Sequence, residues 1–136
     1  MPPGPDPIQE IKTLQEVVDA VGLYPIEAYL FLQEGLGYAV DLVHGTIINL
    51  NASRHITGPQ LCEGLRKYAQ TKWGMLADVV LERWGITCTF DFGRIVFALI
   101  DAGHMAKTET DTIEDFRDVY DFKAAFAGSY QIGSHT

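Results

Sequence analysis

The stretch DFGRIVFALIDAGHMAKTETDTIEDF, from Asp91 to Phe116, joins an apolar helical pattern to an acidic segment. Its large apolar residues recur every three or four positions, which predicts a helix that begins at Thr89 or Asp91 and ends at Gly103. We expect these apolar side chains to lie in the core; they are Phe92, Ile95, Val96, Leu99 and Ile100. The residues after Gly103 then decide which helical fold the chain adopts.

Two arrangements fit the residues after this helix. In a winged-helix-like domain, a glycine-containing link at Gly85 joins two helices as a helix-turn-helix. The segments HMAKT and TIEDF then pair as a β-hairpin around Glu109–Asp111. In the alternative, a plain helical bundle is followed by an ordered tail. The predicted fold class is therefore mostly α, either a compact helical bundle or a winged-helix-like domain with a small C-terminal β-hairpin.

Helical periodicity covers most of the chain before Asp91. Asp6 and Pro7 are typical of a helix start, and Thr57 with Gln60 forms a capping-box pattern. These signals, with terminating glycines, predict helices at 8–21, 25–43, 58–72 and 75–84, and a short last helix between 116 and 126. The loop 44–55 has a short strand predicted at 46–50. Residues 1–7 are predicted to be a flexible leader, 8–126 a single helical domain and 127–136 a flexible tail.

Composition narrows the classes of partner. The 136 residues are 47% hydrophobic and 21% charged, which is ordinary for a globular domain. The net charge of −8 opposes binding to a phosphate backbone or an anionic membrane. We find neither a signal peptide nor a long apolar run, so we expect a soluble, cytoplasmic protein. The two cysteines, Cys62 and Cys88, are expected to be buried apolar side chains.

The letters Asp91-Phe92-Gly93 copy a kinase magnesium motif, but the phosphate loop, strand lysine and catalytic loop of a kinase do not accompany them. Asp91 is better explained as a first-turn carboxylate that favours the helix dipole, and Gly93 as a site of close packing. The four histidines lack metal-ligand spacing, and the acidic segment is out of register with a calcium loop. We therefore predict no catalytic residue, no metal site and no cofactor.

The candidate functional surface consists of polar residues near these segments: Arg54, His55, Asp91, Arg94, Lys107 and Tyr120. His55 is expected to bond to backbone or to a carboxylate. Arg54 is expected to pair with an acid between residues 109 and 121, because that segment is strongly acidic.

Four motifs resemble a family of small, uncharacterised bacterial proteins of the planctomycete and verrucomicrobia type, which have no established activity. They are RHITG (54–58), WGI (84–86), DFGRIVF (91–97) and KTETD (107–111). The resemblance covers residues 10–126. It implies a shared fold and nothing catalytic.

Three functions remain open from the sequence. The first is an intracellular protein-interaction module with a protein partner of unknown identity and an unknown oligomeric state. The second is a nucleic-acid-associated factor that uses a basic patch, formed by Arg66, Lys67, Lys72, Arg83 and Arg94. The third is an enzyme of unrecognised class that would rely on Arg54, His55, Asp91 and Tyr120.

Overall fold

The computed structural model describes residues 12–45, 55–107 and 110–127. A 3₁₀ turn at Gly74–Leu76 joins the third helix to the fourth, and a second at Ile113–Phe116 precedes a helical stretch at 122–127. The α-helices that precede both this stretch and the second 3₁₀ turn are α1 (Leu14–Val21), α2 (Ile26–His44), α3 (Gly58–Trp73), α4 (Ala77–Arg83) and α5 (Thr89–Asp101). The chain is mostly helical, as predicted. The predicted leader, the strand at 46–50 and nearly all of the predicted tail lie outside the described residues.

The predicted β-hairpin wing is wrong. No strand occurs between residues 104 and 107 or 110 and 127, and the segment TIEDF forms the second 3₁₀ turn. The reason is local: the backbone N–H of Thr112 donates to the carboxylate of Asp115 at 3.0 Å, and the Thr112 side chain accepts from the Asp115 N–H. These bonds satisfy backbone groups within one turn, which removes the need for a partner strand.

Capping residues set the helix starts. The predicted Thr57 box is present: Thr57 N donates to Gln60 Oε1 at 2.9 Å, and Gln60 N donates to Thr57 Oγ1 at 3.2 Å. The first helix instead uses a box between Thr13 and Glu16. A continuous helix from residue 8 is therefore wrong, because residues 12 and 13 are not helical. The predicted helix 75–84 is shortened at its start by the 3₁₀ turn.

Helices α2 and α3 run antiparallel and approach closely, since Gly35 meets Leu65 while Ala39, further along α2, meets Gly64. A Cβ atom added at Gly64 would lie 2.2 Å from the Cβ of Ala39, and one added at Gly35 would lie 2.4 Å from Leu65 Cδ2. Gly37, on the same helix, differs from Gly35, because nothing lies within 4 Å of a Cβ atom added there.

The core contains most of the residues predicted for α5. Phe92, Ile95, Val96 and Leu99 are buried, while Ile100 is partly buried. Cys62 is buried as expected, but Cys88 is exposed, which corrects the expectation that both thiols lie inside. Cys88 is exposed because it occupies the N-cap position of α5, outside the helix's apolar stripe.

The segment after α5 is held against α3 and α5 through Phe116. Its ring packs where Gly58 and Gly93 leave room: a Cβ at Gly58 would lie 3.1 Å from Phe116 Cε1, and one at Gly93 2.7 Å from Phe116 Cβ. The buried hydroxyl of Thr89 donates to the carbonyl of Phe116 at 2.6 Å and accepts from Val119 N at 3.1 Å. The segment after α5 is therefore packed firmly against the helical core.

Candidate functional site

An apolar pocket of about 440 Å³ lies where α2, α3 and α5 meet the segment after α5. Its volume falls within the range of about 300–1,000 Å³ that is usual for ligand pockets. The walls come from apolar side chains of all three helices: Leu36 and Val40 of α2, Leu61 of α3, and Val96, Phe97 and Ile100 of α5. Phe116 closes one side.

Helical spacing explains why these side chains share one space. Leu36 and Val40 are four residues apart, and Phe97 and Ile100 are three apart, so each pair projects from one face of its helix. All four are only partly buried. The apolar faces of α2 and α5 therefore extend beyond the filled core and leave apolar surface facing the pocket.

His55 and Asp111 form a pair at the mouth of the pocket. His55 Nε2 lies 3.3 Å from Asp111 Oδ1, and the two side chains are 36% and 19% exposed. The carboxylate partner expected for His55 is therefore Asp111, which confirms that prediction. The backbone carbonyl oxygen of His55 also lies 2.8 Å from His44 Nε2, and this contact connects the end of α2 to the pocket. Arg54, the second half of the prediction, lies outside the described residues.

The opposite side of the mouth is formed by the chain that leaves α5. His104 lines the pocket, and its ring Nε2 donates to the carbonyl oxygen of Lys12. Lys107 and Asp115 line it too. Among the fully charged side chains that line the pocket there are thus two carboxylates, Asp111 and Asp115, and one ammonium group, Lys107.

Asp91 and Arg94 lie elsewhere, at the start of α5. Asp91 Oδ1 accepts a hydrogen bond from the hydroxyl of Tyr24, and Oδ2 accepts from Thr87 N at 2.9 Å. Arg94 Nε is 3.9 Å from Asp91 Oδ1. Burial and the hydrogen bond to Asp91 raise the pKa of Tyr24. The carboxylate therefore joins the Tyr24 segment to the start of α5, which is a structural role.

Tyr120 is also separate from the pocket. Its hydroxyl donates to the carbonyl oxygen of Cys62 at 2.8 Å, and burial raises the pKa of Tyr120. The phenol thus anchors the segment after α5 to α3. Of the five candidate residues that the structure describes, only His55 and Lys107 line the pocket.

Several mouth residues were not singled out from the sequence, namely His104, Asp111 and Asp115. The sequence alone gives little indication of these residues, because the pocket joins segments that are far apart in the chain: 36–40, 55–61, 96–107 and 111–116. The acidic character of the last segment was visible, but its position beside His55 depends on the tertiary fold.

Three of the five residues of the predicted basic patch lie within 4 Å of a carboxylate in the described part of the chain. Arg66 Nη2 pairs with Glu63 at 2.7 Å, Lys72 Nζ lies 3.8 Å from Glu34, and Arg94 pairs with Asp91. These contacts leave fewer unpaired cations for phosphate groups than the sequence alone indicates.

No helix in the described ranges is long and apolar enough to cross a membrane. Nor does any group of three or more His, Cys, Asp or Glu residues in those ranges offer a metal site. Comparison with protein families, with curated proteins and with solved structures finds no match.

Proposed function

We propose that the protein is a protein-interaction module and that the pocket between α2, α3 and α5 receives an apolar group of its partner. The observation that supports this is the partly buried apolar surface of four helix residues, Leu36, Val40, Phe97 and Ile100, which faces a concave space. Burying one large apolar side chain contributes about 1.5–3 kcal/mol, so an apolar anchor in this pocket supplies part of the binding free energy and contacts outside the pocket supply the rest.

One other apolar surface is a weaker candidate. Met75, Leu76 and Val79 form an exposed apolar face, but they line neither of the two described pockets. A side chain inserted into a pocket loses more water contact than one resting on an open face, and binding energy concentrates at such fully desolvated positions. The pocket is therefore the preferred contact site.

The enzyme alternative is less well supported than binding. Asp91 accepts hydrogen bonds from Tyr24 and Thr87, and Tyr120 is buried with its hydroxyl bonded to a backbone carbonyl. The raised pKa of Tyr120 keeps the phenol protonated, which opposes a role as a general base. Asp91 and Tyr120 therefore serve the fold, and among the described residues of the enzyme hypothesis only His55 lines the pocket.

Site-specific photo-crosslinking in the cells that naturally make the protein tests the proposal. A photoreactive amino acid replaces Ala106, an exposed residue that lines the pocket mouth. The matched control places it at Ala124, which is exposed but does not line the pocket. We expect a discrete covalent adduct with another protein from position 106 and none from position 124. No adduct at 106, or the same adducts from both positions, would contradict the proposal.

A further inference from the structure

Acidic side chains outnumber basic ones in the segment that follows α5, part of which lines the pocket. Residues 104–121 contain six acidic and two basic side chains. Asp111 and Asp115 line the pocket itself, and Glu114 lies in the same 3₁₀ turn with its side chain 63% exposed. The acidic surface therefore begins inside the pocket and continues beyond its edge.

These carboxylates are held in fixed positions. Asp115 accepts from Thr112 N, Asp111 lies beside His55, and Glu114 Oε2 accepts from Arg117 Nε at 2.7 Å. The hydrogen bond from Arg117 also lowers the pKa of Glu114, so this group remains ionised at neutral pH. A fixed set of charges loses less freedom on binding than a mobile one, which strengthens its effect on partner choice.

We infer that the partner segment is a basic peptide in which large apolar side chains, seated in the pocket, are flanked by Lys or Arg facing Asp111, Glu114 and Asp115. This inference rests on the proposed protein-interaction function and specifies its partner. Complementary charge accelerates association and disfavours partners of the wrong sign. The net charge of −8 acts in the same direction over longer distances.

The extent of the acidic surface favours a peptide over a small molecule. A ligand confined to the pocket meets Lys107, Asp111 and Asp115, but it does not reach Glu114, which does not line the pocket. A peptide continues past the mouth and uses the charge on both sides of its apolar anchor.

Fluorescence anisotropy with three labelled peptides tests this inference on the full chain. The first has a central Leu-Trp-Leu-Phe segment between runs of Lys, the second has the same centre between runs of Glu, and the third keeps the Lys runs with Ser at the centre. We expect the first peptide to bind at least about tenfold more tightly than either of the others at low salt, and to weaken as salt increases.

Two variants locate the binding. Ala106→Trp places a bulky side chain at the mouth and should abolish binding of the Lys-flanked apolar peptide, whereas Ala124→Trp should leave it unchanged. Glu114→Lys should weaken that peptide about fivefold and strengthen the Glu-flanked one. Asp19→Lys, at an exposed position of α1, is its charge-matched control and should have a smaller effect on both. Circular dichroism shows whether each variant remains folded.

The outcomes separate this inference from the proposal on which it rests. Equal or tighter binding of the Glu-flanked peptide, blocked by Ala106→Trp, would overturn the basic partner while supporting the pocket. Binding of the Lys-flanked peptide that Ala106→Trp leaves intact would overturn the inference, because the contact would lie elsewhere on the acidic surface. If all three peptides fail while a concentration-dependent dimer is lost in Ala106→Trp, the occupant is a second copy and the inference is wrong. Failure of all peptides together with no adduct at position 106 would contradict both proposals.

Discussion

Two contacts in this molecule are built around glycine, and they differ in what surrounds it. Between α2 and α3, Gly64 faces the Cα and Cβ atoms of Ala39, so two regular helices touch almost backbone to backbone. Between α5 and the segment after it, Gly93 faces the ring and Cβ of Phe116, and two hydrogen bonds to Thr89 hold that segment in place. The contact at Gly64 is made by apolar atoms, and the hydrogen bond from Tyr68 to Glu34 joins the same two helices nearer the surface. The contact at Gly93 is accompanied by the two bonds to Thr89.

The difference follows from secondary structure. Residues of α2 and α3 satisfy their backbone groups within each helix, so the interface between them needs only close-packed apolar atoms. The segment from Phe116 to Val119 forms only part of a 3₁₀ turn and leaves backbone groups near the core. The buried hydroxyl of Thr89 pairs two of these groups, which would otherwise be costly to bury.

The largest effect is expected for Gly64→Ala. The new Cβ would lie 2.2 Å from Ala39 Cβ and 2.8 Å from Ala39 Cα, so a backbone must move. We expect the free energy of unfolding to fall by about 2–3 kcal/mol, since overpacking costs more than the gain in helix propensity of up to about 1 kcal/mol. Urea denaturation measures this change.

Gly37→Ala is the matched control on the same pair of helices. Nothing lies within 4 Å of its Cβ position, so only the helix propensity changes. We expect stabilisation of up to about 1 kcal/mol. If both substitutions changed the stability by the same amount, close contact at Gly64 would not be what limits the α2–α3 interface.

A smaller loss is expected for Thr89→Val, which preserves shape and removes the hydroxyl. The carbonyl of Phe116 and the N–H of Val119 each lose a partner, which should lower the free energy of unfolding by about 1–2 kcal/mol. Hydrogen exchange at Val119 should accelerate by more than exchange within α2. Thr87→Val, at an exposed threonine, is the control and should change stability little. An unchanged exchange rate at Val119 would show that polar bonds do not hold this segment.

The smallest effect at neutral pH is expected for Tyr120→Phe, which removes the hydrogen bond to the carbonyl of Cys62. The loss should be about 0.5–1.5 kcal/mol. Burial raises the pKa of Tyr120 above its ordinary value of 10.0, so folding favours the protonated phenol. The contribution of this group is complete below about pH 10 and declines above it, because the unfolded chain loses the proton first.

Thermal unfolding followed from pH 8 to about pH 11 tests the sign of this effect. The wild type should lose stability above about pH 10, and Tyr120→Phe should lose less over the same interval. Tyr24, Tyr29, Tyr68 and the thiol of Cys62, whose pKa values are also raised, contribute to the part that persists. Stability that increased above pH 10 would contradict the assignment of Tyr120 as a protonated anchor.

Local signals in the sequence predicted most helices and failed where tertiary contacts decide. Thr57 and Gln60 specify their helix start by themselves, since the capping bonds span three residues. The segment from Thr112 to Phe116 was predicted as one strand of a wing, but Thr112 and Asp115 form a capping box instead. A β-hairpin depends on pairing between segments, and neither segment contains information that fixes such pairing.

The pocket residues show the same contrast between what the sequence predicted and what depends on the tertiary fold. His55 was predicted to bond to backbone or to a carboxylate, and it lies beside the carboxylate of Asp111. The acidic segment 109–121 was predicted as the partner of Arg54, which lies outside the described residues. The pocket itself was not predicted. Val40 and Ile100 are sixty positions apart and become neighbours in one cavity only through the packing of α2, α3 and α5.

The position of Phe116 between Gly58 and Gly93 affects how the chain acquires its structure during synthesis. Ribosomes deliver α2, α3 and α5 first, and the two glycines face water until Phe116 and then Phe126, both buried in the finished protein, have emerged. Chains generally fold in the order of their synthesis, but this core lacks two of its aromatic rings until translation has passed residue 126. The helices therefore expose apolar surface until Phe116 and Phe126 pack against them, and the chain is more prone to aggregation before that step than after it.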